Sequence, residues 1–260
     1  MQKRQQGLSL IELMVALTVS SFLIIGIVQI FIDNKNTFVF QQAQTENQEN
    51  SRYTFLLLDQ ELSKTGYRRQ PDRGFDTSFP AVTSQSTPAP PAGCSFLEGR
   101  TVSLANGGGI CIRYEPRDPD ERNCLGAKPA DGTVPDEPYT TSTLTVMERF
   151  YVDDNELKCA VGGDEEVILR GVADIQFEYG VGPQTDERQV DTYTTDPGTQ
   201  PIRAVRYAAL MMSSVNARQG MDSATLTQWK ARYPDSSIGT DNGQLYQIAQ
   251  GSITLRNLMP

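Results

Sequence analysis

The chain has 260 residues, a formal net charge of −9 and no histidine. That balance argues against nucleic acid as a direct ligand, because affinity for phosphates comes mostly from Lys and Arg. The missing imidazole removes the commonest metal ligand and acid–base group near neutral pH, so the expectation is a protein that is not an enzyme and holds neither metal nor cofactor.

Met1-Gln2-Lys3-Arg4-Gln5-Gln6-Gly7 is a short polar leader, after which the chain turns apolar at Leu8. Leu13 to Ile32 carries no charged residue, which matches the roughly 20 residues a helix needs to cross a membrane. Lys3 and Arg4 would hold the leader on the cytoplasmic side and place everything after Ile32 outside the cytoplasm. The run exceeds the apolar region of a secretory signal, about 7–15 residues, and Phe31 to Lys35 offers no small-x-small cleavage site. A plain signal anchor fits the length but gives no reason for Glu12. An acidic residue at the centre of such a helix costs about 2.5–3.5 kcal/mol, and less near its end, so Glu12 asks for a partner.

Gly7-Leu8-Ser9-Leu10-Ile11-Glu12-Leu13 resembles the class III signal of type IV pilins and type II secretion pseudopilins. The resemblance implies cleavage by a prepilin peptidase between Gly7 and Leu8 and N-methylation of Leu8, where the family most often has Phe. It also implies an assembly role for Glu12, whose carboxylate would neutralise the terminal amine of a neighbouring subunit and relieve two buried charges. An intramolecular pair between Leu8 and Glu12, four apart on one helix face, is the local alternative. Snorkelling of Glu12 towards the headgroups is another.

Beyond the apolar run the helix is expected to continue through residues 33–66, with Phe38, Ala43, Phe55, Leu58 and Leu62 as its apolar positions and Gly66 as its C-terminal cap. The stretch Gln41 to Asn50 is poor in apolar anchors, and a break or bend is expected there. Residues 67–100 contain Pro71, Pro80, Pro88, Pro90 and Pro91 and read as an irregular loop. Alternation marks strands at Ile110–Tyr114, Leu144–Val152, Ile175–Tyr179 and Ile202–Met212, with a last strand at Ile253–Arg256. Asp153-Asp154-Asn155 is a hairpin turn leading to Leu157-Lys158-Cys159.

Cys94, Cys111, Cys124 and Cys159 are even in number and lack both a C-x-x-C pair and a histidine, so behind an export signal they read as two disulfides. Three connectivities are open. The pairing Cys94–Cys111 with Cys124–Cys159 is favoured because each bond would staple a strand to a weakly held loop; buried free thiols are the alternative. The acidic clusters Asp118-Pro119-Asp120-Glu121 and Asp153-Asp154-Asn155-Glu156 miss the calcium-loop pattern and read as solvated turns. Gly107-Gly108-Gly109 lacks the Lys and Ser/Thr of a phosphate loop and reads as a turn. Trp229 reads as a core or interface residue.

The expected organisation is a leader at 1–7, a transmembrane and assembly helix at 8–32, a helix extension at 33–66 and a β-rich periplasmic head at 67–260. This is an α+β class, a long N-terminal helix packed on an antiparallel sheet, as in pilins. The head of nearly 200 residues, Tyr179-Gly180 after an alternating strand and the closing Leu255-Arg256-Asn257 resemble a PilW-type minor pilin. That resemblance implies a subunit that co-assembles with other minor and major pilins to prime or cap a type IV pilus, supporting twitching motility, adhesion or DNA uptake. Its implied partners are also the prepilin peptidase, an inner-membrane assembly platform and, before assembly, the lipid bilayer. The chain would cross the inner membrane once and later reach the cell surface in the pilus. A minor pseudopilin of a type II secretion system is the alternative.

Overall fold

The computed structural model describes residues 9–140, 144–183, 188–218, 220, 222–236 and 238–259. Helix α1 runs Leu10–Lys64 over 55 residues, on the order of 80 Å at 1.5 Å per residue. Glu12 lies in its first turn and Lys64 in its last, each opposing the partial charge of that helix end. The helix stops where Gly66 adopts a φ of +72°, a left-handed conformation open to glycine at little cost. Gly66 then donates its amide to Arg113 O at 3.0 Å.

From Leu10 to Phe38 the helix is exposed, and no described part of the chain covers it. The second half packs one face, formed by Ala43, Asn47, Ser51, Thr54, Leu58, Glu61 and Leu62, at the three- and four-residue spacing of a helical stripe. The break expected between Gln41 and Asn50 is absent. Three of the buried residues are small and polar and find partners: Asn47 donates to Leu245 O at 2.8 Å, Ser51 to Asn47 O at 2.7 Å and Thr54 to Asn50 O at 2.9 Å. Polar donors bonded in this way bury without the penalty of an unpaired group, so the helix continues unbroken through a stretch poor in apolar anchors. Phe38 does not lie on the packed face; it is 66% exposed.

The remainder forms two antiparallel sheets rather than one. In the first, β1 (Val102–Leu104), β2 (Ile110–Tyr114), β3 (Val146–Asp153), β4 (Glu156–Val161) and β5 (Asp164–Arg170) lie in sequence order. Asp154 and Asn155 join β3 to β4 with φ values of 50° and 60°, the left-handed pair that matches strand twist in a tight hairpin. The second sheet is built from β6 (Val172–Val181), β7 (Thr192–Thr194), β8 (Ile202–Asn216) and β9 (Gln244–Thr254) in the order β7-β6-β8-β9. The last strand thus begins nine residues before Ile253, and Arg256 belongs to a short 3-10 turn.

One core joins α1 to both sheets, with Leu58 and Leu62 against Ile112, Phe150 and Leu157 of the first and Phe177, Val205 and Tyr207 of the second. On β8 the intervening residues Ala208 and Leu210 point the other way, into a cluster with Leu226, Trp229 and Tyr246. Leu226 and Trp229 belong to a second substantial helix, Ala224–Arg232, so this sheet is covered on both faces. A single helical turn at Phe75–Ser78 interrupts the proline-rich loop.

Candidate functional site

The N-terminal end of α1 is the first candidate. Ser9 is the N-cap, with extended backbone angles, and its amide donates to Glu12 Oε2 at 3.1 Å. An acidic residue at the third helical position satisfies one of the otherwise orphaned amides of the helix start. Glu12 is exposed and meets its own chain here. Gly7 and Leu8 lie outside the described residues. Behind Glu12, Leu13, Leu17, Leu23, Ile24, Ile27 and Phe31 are all more than half exposed, an apolar surface that asks for lipid or for other helices.

A second site lies at the opposite end of α1, in a seam closed by β2, β3 and the loop after β2. Glu148 on β3 is fully buried. Its Oε1 accepts from the Tyr114 hydroxyl at 2.9 Å and from the Cys124 amide at 3.0 Å, while Oε2 has no hydrogen-bond partner. On the helix side, Lys64 Nζ bonds Glu61 Oε2 at 2.6 Å and Arg122 O at 2.9 Å. The seam therefore holds two buried carboxyl groups beside one partly buried ammonium. Burial first and the Glu61 carboxylate second push the Glu148 carboxyl up to about 8, against the pull of Lys64 and the two donors; burial disfavours the charged form and a like charge adds to it. Burial and the neighbouring Glu148 likewise raise the Tyr114 hydroxyl.

Sequence reading passed over Glu148, although a signal was present. Val146, Glu148, Phe150 and Val152 alternate in one phase, so the acid stands where the strand points its apolar residues inward. Three arginines were missed for the opposite reason, since each looks solvent-facing in the sequence. Arg113 is fully buried and donates to Arg100 O and Pro80 O at 2.6 Å and to Phe79 O and Leu97 O at 3.0 Å. Arg69 gathers the carbonyls of Arg117, Pro135, Glu137 and Thr140, and Arg203 those of Pro183 and Gln189. The five donors of a guanidinium suit such convergence.

Cys94 is bonded to Cys111, and Cys124 to Cys159. The first pair ties the proline-rich loop to β2, while the second ties the loop after β2 to β4, with Cys159 in the main core. The acidic clusters are engaged locally. Asp118 accepts from the Asp120 amide at 2.9 Å, Lys128 pairs with Asp120 at 2.5 Å and Arg117 with Glu121 at 3.2 Å. Lys158 pairs with Asp153 at 2.7 Å and Arg170 with Glu156 at 2.8 Å. Among the described residues no group of three or more Cys, Asp or Glu is placed to hold a metal ion. Gly107, Gly108 and Gly109 all have positive φ and form the turn between β1 and β2. Trp229 is buried and donates to Asp174 Oδ2 at 2.9 Å.

Two family models match the chain. Residues 2–28 match the prokaryotic N-terminal methylation motif, and residues 139–257 match the type IV pilus-assembly protein W family. Among solved structures, a type IV-like pilin from Thermus thermophilus is similar at 13% identity and a TM-score of 0.45, covering 82% of this chain and 96% of that one. No curated protein matches.

Proposed function

We propose that this chain, a type IV pilin-like protein with a prepilin-type motif and a PilW-type head, is a minor pilin that primes or caps a type IV pilus. In this reading the leader is removed between Gly7 and Leu8 by a prepilin peptidase, Leu8 is methylated, and α1 leaves the lipid bilayer to pack with the helices of other minor and major pilins on an inner-membrane assembly platform. The head stands in the periplasm first and at the cell surface afterwards.

The observation that carries the proposal is the exposed first half of α1. An apolar rod with one acidic residue near its start and nothing in the described chain to cover it satisfies its backbone internally and needs either lipid or neighbouring helices around it. Glu12 supports polymerisation over anchoring alone, because a charge at that depth gains from a cationic terminus on a neighbour. Mass spectrometry of the mature chain tests the first step: an N-terminus at methylated Leu8 supports it, and an intact Met1 or a cut beyond Ile32 overturns it. A deletion strain tests the second. Loss of pili with intact protein export is expected, and intact pili with failed export would assign the chain to a secretion pseudopilus instead.

A further inference from the structure

We propose that the Glu148 carboxyl group is a proton-operated latch that, protonated, closes the seam between the last turn of α1, strand β2 and the loop tethered at Cys124, and, ionised, opens it.

The geometry compensates an ionised Glu148 only in part: Oε1 has the Tyr114 hydroxyl and the Cys124 amide, and Oε2 has no donor. The nearest cation, Lys64, already bonds Glu61 at 2.6 Å and the Arg122 carbonyl at 2.9 Å. The strand neighbours opposite Glu148 are Ile112 on β2 and Val161 on β4, neither of which has a side chain that can donate. Of the other charged or titratable groups around the seam, the Tyr114 hydroxyl already donates to Oε1, Glu121 is paired with Arg117, Asp120 with Lys128, and the Arg122 guanidinium donates to Gly126 O. A proton on Oε2, the oxygen without a partner, makes the seam neutral overall: one ammonium, one carboxylate and one carboxylic acid. Removing that proton leaves two buried carboxylates against one partly buried ammonium, which is costly unless water enters or the walls part.

The wall free to part is the loop. At the seam it is held by the Cys124 amide on Glu148 and the Arg122 carbonyl on Lys64, and Cys124 and Leu125 pack only partly buried against the main core in which α1, β2 and β3 are fixed. The Cys124–Cys159 bond limits the movement, so the seam opens locally and can reclose. The carboxyl keeps its proton in the folded chain to higher pH than in the unfolded chain. Between the unfolded value of 4.5 and the folded value of about 8 the folded state binds more protons, so stability falls as pH rises through that window and is fully present below it.

The test uses the full chain in detergent micelles with both disulfides intact. Glutamate side chains labelled with 13C at Cδ are titrated by NMR, and one carboxyl, absent in Glu148→Gln, is expected to titrate several units above the bulk of the glutamates. If every glutamate titrates in the ordinary range, the latch is overturned, and this readout on the unaltered chain stands even if the variant folds poorly. Opening is read by trypsin cleavage after Arg117 and Arg122, normalised to a free peptide of the same sequence. A rise of fivefold or more between pH 7 and pH 9 in the native chain, lost in Glu148→Gln, is expected. Equal rises in both overturn the proposal.

Discussion

The backbone amide of Ser9 donates to the carboxylate of Glu12 three residues later, at 3.1 Å. Glu12 therefore has work within its own helix as well as the proposed work between subunits, and a substitution by alanine confounds the two. Gln at this position caps a helix start much as Glu does but carries no charge. Glu12→Ala and Glu12→Gln are both expected to be processed normally and to fall at least tenfold in abundance in sheared pili, measured by immunoblot. Normal incorporation of the Gln variant would show that capping, and not charge pairing, is what Glu12 supplies.

The two disulfides close chain segments of 17 and 35 residues. Loop-closure entropy assigns about 3 kcal/mol to the shorter and about 4 kcal/mol to the longer. Replacing Cys124 and Cys159 together by Ala is expected to lower the denaturation midpoint more than the same change at Cys94 and Cys111, since Cys159 also leaves the main core. Chemical denaturation of the full chain in micelles measures both, and the reverse order would mean that the proline-rich loop contributes more to the fold than its buried area suggests.

Arg113 is expected to be the least replaceable surface-like residue in the sequence. Arg113→Met removes the guanidinium from four loop carbonyls, of which those of Phe79 and Leu97 keep the amides of Gly99 and Arg100, and is expected to cost about 3 kcal/mol. Arg113→Lys is expected to recover less than half of this, because a single ammonium cannot span the fork. Thermal unfolding of the two variants gives the comparison.

The chain has one tryptophan, and it reports the docking of the helix Ala224–Arg232. Asp174 accepts from Trp229 at 2.9 Å and from Ser236 at 2.6 Å, so Asp174→Ala is expected to release that segment at a cost of about 2 kcal/mol. Trp229 emission should then shift to the red at a denaturant concentration where circular dichroism still shows α1 and the sheets intact. Coincident transitions would mean that this helix and the main core unfold as one unit.

Much of this arrangement is legible in the chain. The uncharged run after Glu12, the helix end at Gly66 and the turn at Asp154-Asn155 each follow from a local rule, and Ile175–Tyr179 shows the alternation of half-buried sheet, whereas Ile110–Tyr114 alternates in sequence yet is buried at every position. What escapes is residue use that depends on distant partners. Asn47 buries because Leu245, far along the chain, offers a carbonyl. The strand Asp164–Arg170 is exposed and charged over most of its length, so no apolar period marks it; among the described residues it is an outer strand, paired with β4. The helix at Ala224 carries Leu226, Trp229 and Tyr233 at helical spacing between Ser223 and Pro234, but it is short and set among turn residues. Glu148 could have been found from its phase in the strand; its partners across the seam could not.

The three buried guanidiniums bear on how this head can vary. Arg69, Arg113 and Arg203 grip loops mostly by main-chain oxygens, atoms that every amino acid possesses; the Thr140 hydroxyl, which accepts from Arg69 at 3.1 Å, is a side-chain exception. Loop residues such as those around Leu97, Pro135 or Gln189 can therefore exchange side chains while their course stays anchored. The fixed side chains lie inside and the changeable ones outside, which lets the outer surface of the head diversify against new contacts without renegotiating its frame.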